Sequence, residues 1–246
     1  MNAPAYLYFY ILTTMSIAIV IIIVGFNKIL GRADWLASER RFTVGAFSVL
    51  LIGWFLVASF LSWAGAYDGF SDRPPTIQYG IFAPVVIGSA LMWRSSIVRR
   101  VVDATPQHWL VGIQVVRLIG GIFLVLYADH RIPGFFAWPA GVGDVLVGVL
   151  APVVAIAYAR SPDRNADLVI AWNFFGLADF VVAITTGFLS SPLPFQLVAF
   201  DLPNALITRF PLVLIPVFGV PFCILLHFAS LMKLRKAMDR LRASEA

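Results

Sequence analysis

The chain has 246 residues, of which 60% are apolar and only 13% charged, with a mean hydropathy of +0.88. Soluble domains carry about 45–50% apolar and about 25% charged residues, so these numbers exclude an ordinary water-soluble fold and indicate a chain whose solvent is lipid. The net charge of +5 requires no nucleic acid, because membrane proteins collect Lys and Arg in their cytoplasmic loops.

A membrane span needs about 20 mostly apolar residues, and seven stretches qualify: 6–30, 42–67, 77–93, 108–128, 139–158, 168–189 and 212–232. The expected fold is therefore an all-α membrane protein, a bundle of seven transmembrane helices filling residues 1–232, followed by a basic amphipathic cytoplasmic tail over 233–246. The first apolar run is too long for the h-region of a signal peptide and has no positive charge before it, so it is expected to remain as a span. Gly69, Pro74 and Pro75 break the chain between the second and third spans. These first three spans hold no acidic residue.

The later spans are different. In the fourth, Gln114, Arg117 and Gly121 recur at i, i+3 and i+7, one face of an α-helix. In the fifth, Gly141, Asp144, Gly148 and Ala151 form a stripe of small residues that contains a carboxylate, the pattern that lets membrane helices approach closely. Trp172, Gly176 and Asp179 share a face of the sixth, with Asn173 beside it. The seventh lines up Pro216, Gly219, Cys223, His227 and Ser230. A charge at the bilayer centre costs about 2.5–3.5 kcal/mol on insertion scales, so Arg117, Asp144 and Asp179 are expected to face the interior and one another.

At a rise of about 1.5 Å per residue, Arg117 and Asp179 come out roughly 16 Å from the outer ends of their spans and Asp144 roughly 10 Å. Gln114 lies a little deeper, and Asn173 with His227 roughly 25 Å down. These six residues form a polar ladder and are the candidate substrate or ion pathway. The structural alternative is an ion pair, Arg117 held bidentate by one carboxylate, that sets helix register. Asp144 has a simpler explanation still: it follows Pro139 by about a turn and a half, near a helix amino terminus whose dipole favours an anion.

Orientation follows from the basic residues. Lys28, Arg32, Arg40 and Arg41, then Arg94, Arg99 and Arg100, then Arg160 and Arg164, and finally the tail fall on one side, against Arg73, Arg131 and Arg209 on the other. The expected topology has the amino terminus outside and the carboxyl terminus in the cytoplasm. Arg outnumbers Lys by 15 to 3, which suggests a GC-rich bacterial genome and hence a bacterial inner membrane. Trp63, Trp93, Trp109 and Trp138 near span ends read as interface anchors.

Residues 190–211 are rich in Pro and aromatics and read as a short helix resting on the membrane interface, with an outer lid over the polar cluster as the alternative. The stripe Leu231, Leu234, Met238 and Leu241 beside Lys233, Arg235, Lys236, Arg240 and Arg242 reads as a helix on an anionic leaflet, or on a partner helix. The one cysteine, Cys223, allows no disulfide within the chain. No two histidines match in depth as a membrane haem needs, and all three lysines lie at or beyond span ends, which argues against a retinal Schiff base. No metal and no cofactor is expected. Membrane lipids are the expected partners, with a small polar solute or proton as substrate and no nucleic acid; the oligomeric state is unknown.

These features support a transporter or channel-like protein built on helices four to seven, more readily than an enzyme, and no catalytic residue is identified. The alternatives are a membrane enzyme acting on lipid or a lipid-linked substrate, with Asp179 as base, or a non-catalytic sensor or assembly protein.

Overall fold

A computed structural model describes residues 3–33, 35–68, 76–193 and 196–245, with side chains up to residue 239. The regular structure of the described residues is all helical, without strands. The helices are α1 (Ala5–Arg32), α2 (Ala37–Trp63), α3 (Ile77–Arg94), α4 (Ser96–Ala104), α5 (Gln107–Ala128), α6 (Gly134–Arg160), α7 (Pro162–Ser190) and α8 (Val220–Glu245), the last preceded by a π-helical turn, Ile215–Gly219. Six of them are long and apolar enough to cross a membrane, and the protein is a helical membrane protein.

The expected third span, 77–93, coincides with α3, which meets the length and composition of a span only together with α4, across a bend of 90°. The bend lies at Ser95, whose hydroxyl accepts from the Val98 amide and caps α4. Counting that pair as one gives seven. The break predicted around Gly69, Pro74 and Pro75 lies outside the described residues.

Two boundaries shift with consequences. The helix carrying Asp144 begins at Gly134, with Pro139 inside it. Asp144 therefore stands about ten residues into α6, beyond the reach of the terminal dipole, and the simple explanation for its charge falls. At the other end α8 runs unbroken from Val220 to Glu245, so residues 233–245 continue the last helix. Lys233 and Lys236 of that continuation turn toward protein. Lys233 donates to the carbonyls of Val102, Asp103 and Thr105 at the end of α4, and Lys236 pairs with Asp103. Arg240, Leu241 and Arg242 have side chains outside the described set.

α6 is the hub, packed between α5 and α7, while α8 closes the bundle against α3, α5 and α7. Close approach rests on small residues, as expected where lipid is as apolar as any side chain and dispersion must hold the helices. A side chain at Gly148 would meet the Leu118 backbone, one at Gly80 would meet Val217, and one at Gly88 would meet Leu225. α1 and α2 lie at the periphery. Trp63, Trp93 and Trp138 are exposed near helix ends as anchors should be. Trp109 instead lies against Gly25 of α1.

The segment between α7 and α8 has no interfacial helix among its described residues. It is irregular save for one 3₁₀ turn, Leu206–Thr208, and the π-helical turn that leads into α8, and its Ser191, Leu193, Ile207 and Thr208 turn inward and are buried. Pro194 and Phe195 lie outside the described residues.

Candidate functional site

The local conformation of α5 decides how the cluster forms. Its middle, Ile113–Gly121, is a 3₁₀ helix between two α-helical segments. At three residues per turn, positions i and i+3 eclipse, so Gln114, Arg117 and Gly120 form the buried face, and Gly121 of the α-helical reading gives way to Gly120. Gly120 lies directly against the Asp144 side chain, where any side chain would collide with it. The missing Cβ is what brings the α6 carboxylate within reach of the guanidinium.

Arg117 binds both acids, one contact to each. Its Nε donates to Asp144 Oδ1 at 2.8 Å, and Nη2 donates to Asp179 Oδ2. Nη1 donates to the Gly176 carbonyl at 3.1 Å and faces His227 Nε2 at 3.4 Å. The Phe180 ring covers the guanidinium, 3.8 Å from Cζ to the ring centre, a cation–π contact in a desolvated place. The bidentate pair with one carboxylate expected under the structural alternative is thus replaced by a fork across two helices. Arg117 is 2% exposed, Asp144 7% and Asp179 9%. With both acids ionised the cluster carries one net negative charge.

From Arg117 a hydrogen-bonded chain continues through three helices. His227 Nδ1 lies 2.9 Å from Asn173 Oδ1. Asn173 Nδ2 donates to the Val169 carbonyl at 2.7 Å and to Ser230 Oγ at 2.9 Å. Ser230 in turn accepts from Gln107 Nε2 at 2.6 Å. The donor roles assign the tautomer of His227: the Asn173 amide nitrogen is spent on two acceptors, so its oxygen accepts from Nδ1–H, and Nε2 is left with a lone pair toward Arg117.

All six candidate residues are buried, and five of them fall in this chain. Gln114 stands beside it, donating from Nε2 to the Cys223 carbonyl at 3.0 Å, with its Oε1 buried and unpartnered. Trp172 Nε1 and Gln107 Oε1 are likewise buried without partners. His108 is exposed at the start of α5 and does not join His227. Sequence reasoning missed Gln107, Ser230 as a link, Phe180 and Gly120. Gln107 left one signal, its spacing of seven from Gln114, whereas nothing in the pattern distinguishes Phe180 from the other apolar residues of α7.

Two cavities border the cluster. One, about 60 Å³, lies under the segment between α7 and α8 and is lined by Leu193, Ile207, Thr208 and Phe136, with Asp144 and Phe180 at its base. The second, about 200 Å³, lies between α1, α5 and α8 and also reaches Asp144, together with Arg117 and Phe180.

Comparison with the curated proteins and with the solved structures gives no match. The family model described as domain of unknown function DUF8737 matches residues 74–235, from the approach to α3 through most of α8, and the chain belongs to that family.

Proposed function

We propose that the protein is a membrane carrier that moves protons or a small polar solute through α5–α8, with Arg117, Asp144 and Asp179 as its central site. The observation that carries this is the charge imbalance: one guanidinium faces two carboxylates inside the bundle, and Asp144 borders both cavities. A purely structural pair needs one acid; the second provides a place for a proton or cation that can arrive and leave. The chain through His227, Asn173, Ser230 and Gln107 extends the site along the helices. The inward-turned residues Leu193, Ile207 and Thr208 support an outer lid. The basic-residue bias favours an outside amino terminus, a cytoplasmic carboxyl terminus and a bacterial inner membrane.

The test is flux into proteoliposomes carrying an entrapped pH-sensitive dye, for wild type beside Asp144→Asn and Asp179→Asn. Loss of proton or proton-coupled solute flux in variants that still fold supports the carrier. An unchanged flux in Asp179→Asn overturns it, and a product formed from membrane lipid extracts and lost in that variant would put a lipid-modifying enzyme in its place.

A further inference from the structure

The larger cavity is a groove between α1 on one side and α5 and α8 on the other. Ile17 and Ile21 line it, and both are also more than half exposed, at 55% and 53%, on the outward face of α1. In a bilayer that face meets acyl chains. Phe218 of the π-helical turn and Phe222 of α8 form the opposite wall, and Asp144 and Arg117 lie at the inner end. An apolar passage thus leads from the lipid to the cluster.

The polar end selects charge. Arg117 has five N–H donors, and four are engaged by Asp144, Asp179, Gly176 and His227. An anion arriving by the groove would meet two carboxylates and a guanidinium already bound. A cation would meet one uncompensated negative charge. The volume sets size: about 200 Å³ exceeds the cavity of roughly 150 Å³, lined by Leu, Ile and Phe, that is known to hold benzene.

We infer that this groove is a lateral entrance and binding site for a lipid-soluble monocation, with an apolar body about the size of one aromatic ring between α1 and α8 and its ammonium group at Asp144. The inference rests on the reading of the cluster as a cation site and names its substrate class.

Purified full-length protein in an uncharged detergent is heated with benzyltrimethylammonium and, separately, with neopentylbenzene, in which carbon replaces the charged nitrogen. A ligand that binds only the folded state raises the melting midpoint by mass action. The cation should raise the wild-type midpoint by several degrees and neopentylbenzene by much less. The shift should disappear in Asp144→Asn and in Ile17→Trp, which fills the groove from its lipid-facing side. It should persist in Val20→Trp, on the outward face of α1 but away from the groove. Absence of a shift in wild type overturns the inference, as does an equal shift with neopentylbenzene that survives in Asp144→Asn, which would make the groove a seat for a lipid chain. The two readings fail separately. Wild-type vesicles without flux but with the cation-dependent shift would end the carrier and leave the binding site, while flux with no shift would end the lateral entrance alone.

Discussion

α1 and α2 bury only 22% and 17% of their most apolar stretch within the protein, whereas α5 and α6 bury 44% each and the last span, Ile215–Asp239, 56%. All of them are similarly apolar, so hydrophobicity does not decide which helices occupy the interior. In lipid a Leu gains little by leaving acyl chains for another Leu. Polar groups gain a great deal, and the helices that carry Arg117, Asp144 and His227 are the enclosed ones. Asp179 shows the same on α7, which buries only 28% yet turns its acid inward. The peripheral pair is held by shape; the central set is held by shape and by a charge network that tolerates little change.

Substitutions can break that contrast, and the largest effect belongs to Arg117→Gln. It leaves two carboxylates buried without their cation, a loss of about 3–5 kcal/mol, read as the unfolding midpoint in detergent. Asp144→Asn or Asp179→Asn leaves one acid paired with Arg117 and should cost clearly less. Equal losses would mean that the second acid is as structural as the first. Gly120→Ala comes next, at about 1–3 kcal/mol for a side chain forced against Asp144. Gly121→Ala, whose nearest neighbour would be Val145 at 3.3 Å, should cost less than half as much, and the reverse order would rule out the 3₁₀ register of α5. Asn173→Leu cuts the chain between His227 and Ser230 at a cost of about 1 kcal/mol, the scale of hydrogen bonds measured in membrane bundles. The smallest effect is Phe9→Ala on the lipid face of α1, where Phe9 is 77% exposed; it should stay within about 0.5 kcal/mol. A larger loss there would show that α1 is seated against something other than lipid.

Much of this was legible in the chain, because length and apolarity dictate spans and because a buried charge has few places to go. Arg117, Asp144 and Asp179 announce one another by cost alone, and the shared depth of Asn173 and His227 anticipates the bond between them. The errors have local causes. An α-helical wheel assigns Gly121 to the buried face of α5, but three residues per turn put Gly120 there. Pro139 looks like a helix start because proline favours that position, yet a membrane helix accepts proline inside when its neighbours pack tightly. The segment after α7 reads as interfacial from its aromatics, though Leu193 and Ile207 turn under it into a cavity.

The sequence by itself determined that this is a helical membrane protein, which helices carry its polarity, and which three charges must meet. All three follow from one-dimensional quantities, the apolar length needed to cross a bilayer and the cost of a charge within it. Only the tertiary structure decided how they meet: Arg117 forking to two acids on two helices, His227 oriented by Asn173, Phe180 over the guanidinium, and a groove from α1 ending at Asp144. Those depend on helix rotation and on contacts between residues far apart in the chain, and rotation is set by the packing of neighbours, which no single span encodes.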